Sequence, residues 1–76
     1  MLAAIPSLED LEQRLAAFQI ALHGRCDDAA NVARTYTTFA QWDLDRASKG
    51  GKTAAIALAR ADKHLALAGS AVDARA

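Results

Sequence analysis

Apolar side chains return at steps of three and four residues along almost the whole chain, and that period admits one kind of element. Leu8, Leu11, Leu15, Phe18 and Leu22 form the first such stripe, and Ala54, Leu58, Ala61, Leu65, Ala68 and Val72 form the last. Between them Val32, Ala33, Tyr36, Phe39, Ala40, Leu44 and Ala47 make a third, with Trp42 at its margin beside Thr35. Each stripe lies on one side of a helix that turns about 100° per residue. The run from Thr35 to Phe39 favours strand by intrinsic propensity, but the spacing over the full segment is helical and the sequence offers no second strand to pair with it. The expected fold class is all-α.

The ends of the helices are marked by residues that can satisfy free backbone groups. Ser7 can accept from the amides of a first turn, with Asp10 three residues on as a weaker capping-box partner, and Gly24 suits a left-handed terminator after His23. Asp27 and Asp28 read as the cap and first turn of a second helix. The spacing predicts helices over about 8–23, 28–49 and 53–73 of a single domain covering 1–76. Connections this short require neighbouring helices to reverse direction, so a small antiparallel three-helix bundle is expected. The alternative is a helical hairpin of the second and third helices with the first docked on a partner or a second copy.

Alanine at every seventh position of the third seam would let a helix approach closely, with the aromatics of the second helix filling the space above. On this reading Tyr36 and Phe39 belong to the core and Trp42 lies at its edge, where an exposed indole makes a strong binding anchor. Ile56 and Leu67 lie nearly opposite the third seam, separated by Arg60 and Lys63, and either contact the first helix or form a surface that binds something else. A chain of this size buries only about 60% of the surface its unfolded state exposes, so its fold is marginal and any further burial of apolar surface counts. Alternating steps of three and four also suit self-association by coiled-coil packing, although each seam runs for only about two to three heptads.

Composition places the chain among globular proteins: 53% hydrophobic and 24% charged residues. Nine basic and nine acidic side chains cancel, which gives no overall pull toward nucleic acid or an anionic membrane. The single cysteine, Cys26, rules out an internal disulfide and suits a reducing compartment, so the expected location is the cytoplasm. Met1 to Pro6 lacks the basic start of a signal peptide, and Arg60, Asp62, Lys63 and His64 interrupt the longest apolar segment, so no membrane span is expected.

The stretch Ser48-Lys49-Gly50-Gly51-Lys52-Thr53 ends like a phosphate-binding loop. That motif requires a glycine, four intervening residues and then the Gly-Lys-Thr, with a strand before the loop. Arg46 occupies the glycine position and the preceding segment is helical. Every residue has a plainer role: glycines for chain reversal, Thr53 as a cap, lysines in solvent. Arg46, Lys49 and Lys52 nonetheless make the turn locally basic, diluted by Asp43 and Asp45. His23, Cys26, Asp27 and Asp28, with His64, include ligand types for a metal, but His-x-x-Cys provides only two of the three or four that must converge. Cys26 beside His23 lacks the pocket and orienting group that a nucleophile needs.

These residues predict no enzyme and no cofactor. The expected function is a non-enzymatic helical protein–protein interaction module, an adaptor, inhibitor, assembly subunit or small chaperone, with Trp42, Ile56 and Leu67 as partner-binding residues. Its partner would be another protein or a second copy. The second reading is a small nucleic-acid-associated regulator that uses the basic turn at Arg46, Lys49 and Lys52.

Overall fold

The computed structural model of the protein describes residues 6–73 and is an all-α three-helix bundle. Helix α1 spans Leu8–Leu22, α2 Asp28–Ser48 and α3 Ala54–Asp73. The reading of Met1 to Ile5 as leaderless, and any extension of α3 past Asp73, lie outside the described residues.

Local chemistry sets the boundaries. The Ser7 hydroxyl accepts from the Asp10 amide at 3.1 Å, which gives the cap without the reciprocal half of the box. Asp27 caps α2 by accepting from the Ala30 amide at 3.4 Å. Gly24, Gly50 and Gly51 all have positive φ, the backbone state that turns the chain after α1 and after α2. Thr53 acts through its backbone: its carbonyl accepts from the Ala57 amide at 2.9 Å, and among the described residues no hydrogen bond of its hydroxyl caps α3.

α2 and α3 form the most intimate pair, an antiparallel hairpin whose seam is built from small residues. Ala30, Ala33, Ala40 and Ala47 of α2 and Ala57, Ala61 and Ala68 of α3 are all buried. Side chains this short bring two helix backbones together at the near end of the usual 8–10 Å range. α1 lies over one side of that pair and supplies the bulk the alanines lack. Leu11 and Leu15 pack with Ala40, Leu44, Ala61 and Leu65, while Leu22 packs with Ala30, Ala33 and Ala68. Phe18 joins both clusters, and its ring passes close to Gly69. Gly69 is thus a contact point of α1 on α3. Among the described residues the first helix docks on its own chain, as the bundle requires.

The close α2–α3 approach corrects the expected face of α2. Val32 and Phe39, assigned to the core by spacing, are 47% and 39% exposed. The buried stripe instead runs through Ala33, Thr37, Ala40, Leu44 and Ala47, roughly a third of a turn away from Phe39. Between alanine seams there is no volume for a phenyl ring. Tyr36 is partly buried at the margin. Thr37 enters the stripe because its hydroxyl donates to the Arg34 carbonyl at 2.9 Å, leaving no unpaired polar atom. On α3, Ala57 is buried in the seam, whereas Ala54, Leu58 and Val72 are only partly covered.

The result is a flat molecule, 38 × 29 × 15 Å between Cα extremes. Its thinness follows from α1 covering one side of the hairpin only. Arg14 of α1 meets Asp62 of α3 at 2.6 Å, and Phe18 meets Gly69. Asp62 and Gly69, seven residues apart, share the flank of α3 under α1; Ile56, Arg60 and Leu67 lie on its opposite flank.

Candidate interaction surface

The side of the hairpin away from α1 carries most of the exposed large apolar residues. On α2 they are Val32 and Phe39, and on α3 Ile56 and Leu67; Trp42 stands at the outer edge of α2, where it also borders the groove lined by Glu12, Leu15, Ala16 and Gln19 of α1. Trp42 is the most exposed of these five at 64%. Ile56 and Leu67, eleven residues apart, sit about 16 Å from one another along α3 at 1.5 Å per residue. Both are exposed, and neither packs on α1 as an alternative core role would need.

What links the two helices across this surface is an aromatic and polar row. Tyr36 stacks on the His64 ring with centroids 6.4 Å apart, and Phe39 tilts against the same ring at 5.5 Å. Phe39 in turn meets Trp42 at 5.8 Å. His64 Nδ1 donates to the Asp43 carboxylate at 2.7 Å, with both side chains largely covered. Below this row, Asp43, Arg46, Ile56 and Arg60 border a shallow open depression between α2 and α3.

Trp42, Ile56 and Leu67 are all exposed, with Trp42 one helix over from the other two. Val32 and Phe39 belong with it and were missed as surface residues. The signal that identifies them is a second period on α2: Asp28, Val32, Thr35, Phe39, Trp42 and Arg46 alternate steps of four and three on the side opposite the core stripe. Ile20 of α1, also exposed, stands apart beside Ala16, Gln19 and His23.

Three basic residues gather at one end. Arg46, Lys49 and Lys52 are exposed around the α2–α3 turn, and Arg46 and Lys49 border an open depression with Trp42, Asp45, Gly50 and Thr53. Lys49 Nζ is 3.6 Å from the Asp45 carboxylate, and Glu12 of α1 lines the neighbouring groove. The turn's charge is therefore mixed. The segment ahead of Gly50 is helix, and Gly50 and Gly51 serve the reversal.

At the opposite end, Arg25 Nε and Nη2 both donate to the Asp27 carboxylate, at 3.0 and 2.9 Å. That bidentate pairing, more than the backbone bonds of the cap, lowers the Asp27 carboxyl to about 2. The same contact raises the Arg25 guanidinium. Arg34 reaches back from α2 to donate to the carbonyls of Leu22 and Arg25 and to the Asn31 side chain, fastening the turn after α1. Asp27 and His64 are thus each committed to other partners. Among the described residues no three His, Cys, Asp or Glu side chains gather as a metal site would need. No helix among them is long and apolar enough to cross a membrane.

Comparison with protein-family models, curated proteins and solved structures finds no match for this chain.

Proposed function

We propose that the protein is a non-enzymatic helical interaction module that binds another protein chain through the outer side of α2 and the adjoining side of α3. The observation that carries this is the two-sidedness of α2. Its core stripe is complete without Val32, Phe39 or Trp42, yet those three recur at coiled-coil spacing on its outer side. Large apolar side chains on a soluble surface are individually common, but a periodic set on one helix supports a helix-docking role. Ile56 and Leu67 extend the same surface onto α3. Lone, exposed Cys26 supports a cytoplasmic setting.

The test is to replace Trp42, Ile56 and Leu67 singly with glutamate and follow helicity and association together. Each variant should keep the parent's circular dichroism and weaken binding, Trp42→Glu most. Loss of helicity in all three, with a parent that neither self-associates nor holds another protein, would overturn the reading. A nucleic-acid contact through Arg46, Lys49 and Lys52 is less well supported, because Asp45 and Glu12 stand among or beside those cations. Steep weakening of binding with rising salt would favour that second reading, since burial of an apolar face does not respond so.

A further inference from the structure

We infer that the partner for this face is a second copy of the same chain, docked with the two α2 helices antiparallel about a two-fold axis. The inference rests on the docking role proposed above and adds the occupant and its register.

The outer seam of α2 supplies the argument. Val32, Phe39 and Arg46 occupy one class of heptad position, and Asp28, Thr35 and Trp42 the other. When two such helices pair antiparallel, residues of one class fall level with residues of the other. Centred on position 37, the seam pairs Val32 with Trp42 of the second copy, Thr35 with Phe39, and Asp28 with Arg46, then repeats the three in reverse. Every layer sets a small side chain against a large one, or an anion against a cation. The Thr35 hydroxyl already donates to the Asn31 carbonyl at 3.2 Å, so the face it offers to the phenyl ring is its methyl. Asp28 and Arg46 are both exposed, and among the described residues neither has an ion-pair partner.

A parallel pairing of the same seam would stack Asp28 on Asp28 and Arg46 on Arg46. Charge complementarity therefore selects the antiparallel form, and a closed two-fold is the commonest way for a chain to meet its copy. Ile56 and Leu67 would lie on the rim, while Arg60 and Lys63, like charges on the same flank of α3, keep that rim wet and hold the two α3 helices from packing tightly. One α2, about 30 Å long and 10 Å wide, offers roughly 300 Å² from each copy, well under the ~800 Å² per partner of a standard interface. The dimer should accordingly dissociate on dilution.

Sedimentation equilibrium on the full chain across a wide concentration range is the test. The parent should pass from monomer to dimer. Arg46→Asp sets like charges at both ends of the seam and should raise the dissociation constant about 10-fold; Asp28→Arg should do the same. The double exchange Asp28→Arg with Arg46→Asp should restore parental dimerisation even though each charge now opposes the helix dipole. Orientation is read by a spin label on Lys49→Cys in a Cys26→Ser background. Twenty-four residues of offset put the antiparallel labels about 36 Å apart, and a parallel pair about 10 Å. A strictly monomeric parent, a short label distance, or a double exchange no better than the singles overturns the inference. The docking face itself stands if a monomeric parent still binds another protein and the Trp42, Ile56 and Leu67 variants weaken that binding, so the two failures are separable.

Discussion

Asp43 of α2 and His64 of α3 are joined by a 2.7 Å hydrogen bond on the side of the hairpin that α1 leaves open. The bond fixes the ring that Tyr36 and Phe39 lean against, so it organises the proposed docking face as well as the α2–α3 seam. Replacing Asp43 with alanine should cost about 1–2 kcal/mol, while Asp43→Asn, which still accepts the bond, should cost less. A double-mutant cycle with His64→Ala in urea unfolding checks it: coupling near zero would mean the bond adds nothing net.

Arg34 should be the most consequential exposed-edge residue for stability. Arg34→Ala leaves the Leu22 carbonyl with only the Arg25 amide and removes a charged donor from the turn, at a cost of about 2 kcal/mol. Lysine, a single point donor, should recover only part of that. Chemical denaturation of both variants makes the comparison.

Much of this architecture was legible in the sequence, and the part that was not has a clear cause. Helix positions, the Ser7 and Asp27 caps and the glycine turns follow from local chemistry. Which of two apolar stripes on α2 faces inward does not, because Phe39 and Val32 look more like core than Ala33 and Ala47 do. The alanines on α3 decide it: a seam that narrow excludes a ring, and pairing of two helices is a tertiary fact. The Asp43–His64 and Arg14–Asp62 bonds were invisible for the same reason, each spanning more than twenty residues.

Glycines should divide by backbone state. Gly69 is helical, and a methyl there would sit 3.5 Å from Phe18 Cζ, an ordinary contact. Gly69→Ala should therefore stabilise the protein by about 0.5–1 kcal/mol. Gly50, at φ 74°, should lose about 1 kcal/mol or more on the same change. Paired thermal melts would show the opposite signs.

The Asp27 carboxyl, held at about 2 against an ordinary value of 3.8, makes stability depend on acid in a defined window. Because the folded value is the lower one, the contribution is complete above pH 4 and fades as pH falls through 2. Asp27→Asn keeps a capping oxygen but loses the ion pair with Arg25. The variant should be the less stable above pH 4, and the difference should shrink toward pH 2. The pair is partly exposed, so salt should narrow the gap too.

The central claim is that α2 has two apolar faces, one for folding and one for docking, and Phe39→Glu with Trp42→Glu in one chain tests it most directly. Unfolding of this variant should be measured against Leu11→Ala at concentrations where every chain is monomeric. Leu11 is fully buried, and its truncation should cost about 3 kcal/mol. The double glutamate variant should keep the parent's helicity and lie within about 1 kcal/mol of its stability, yet lose association at high concentration. Destabilisation matching that of Leu11→Ala would place Phe39 and Trp42 in the fold itself and contradict the account.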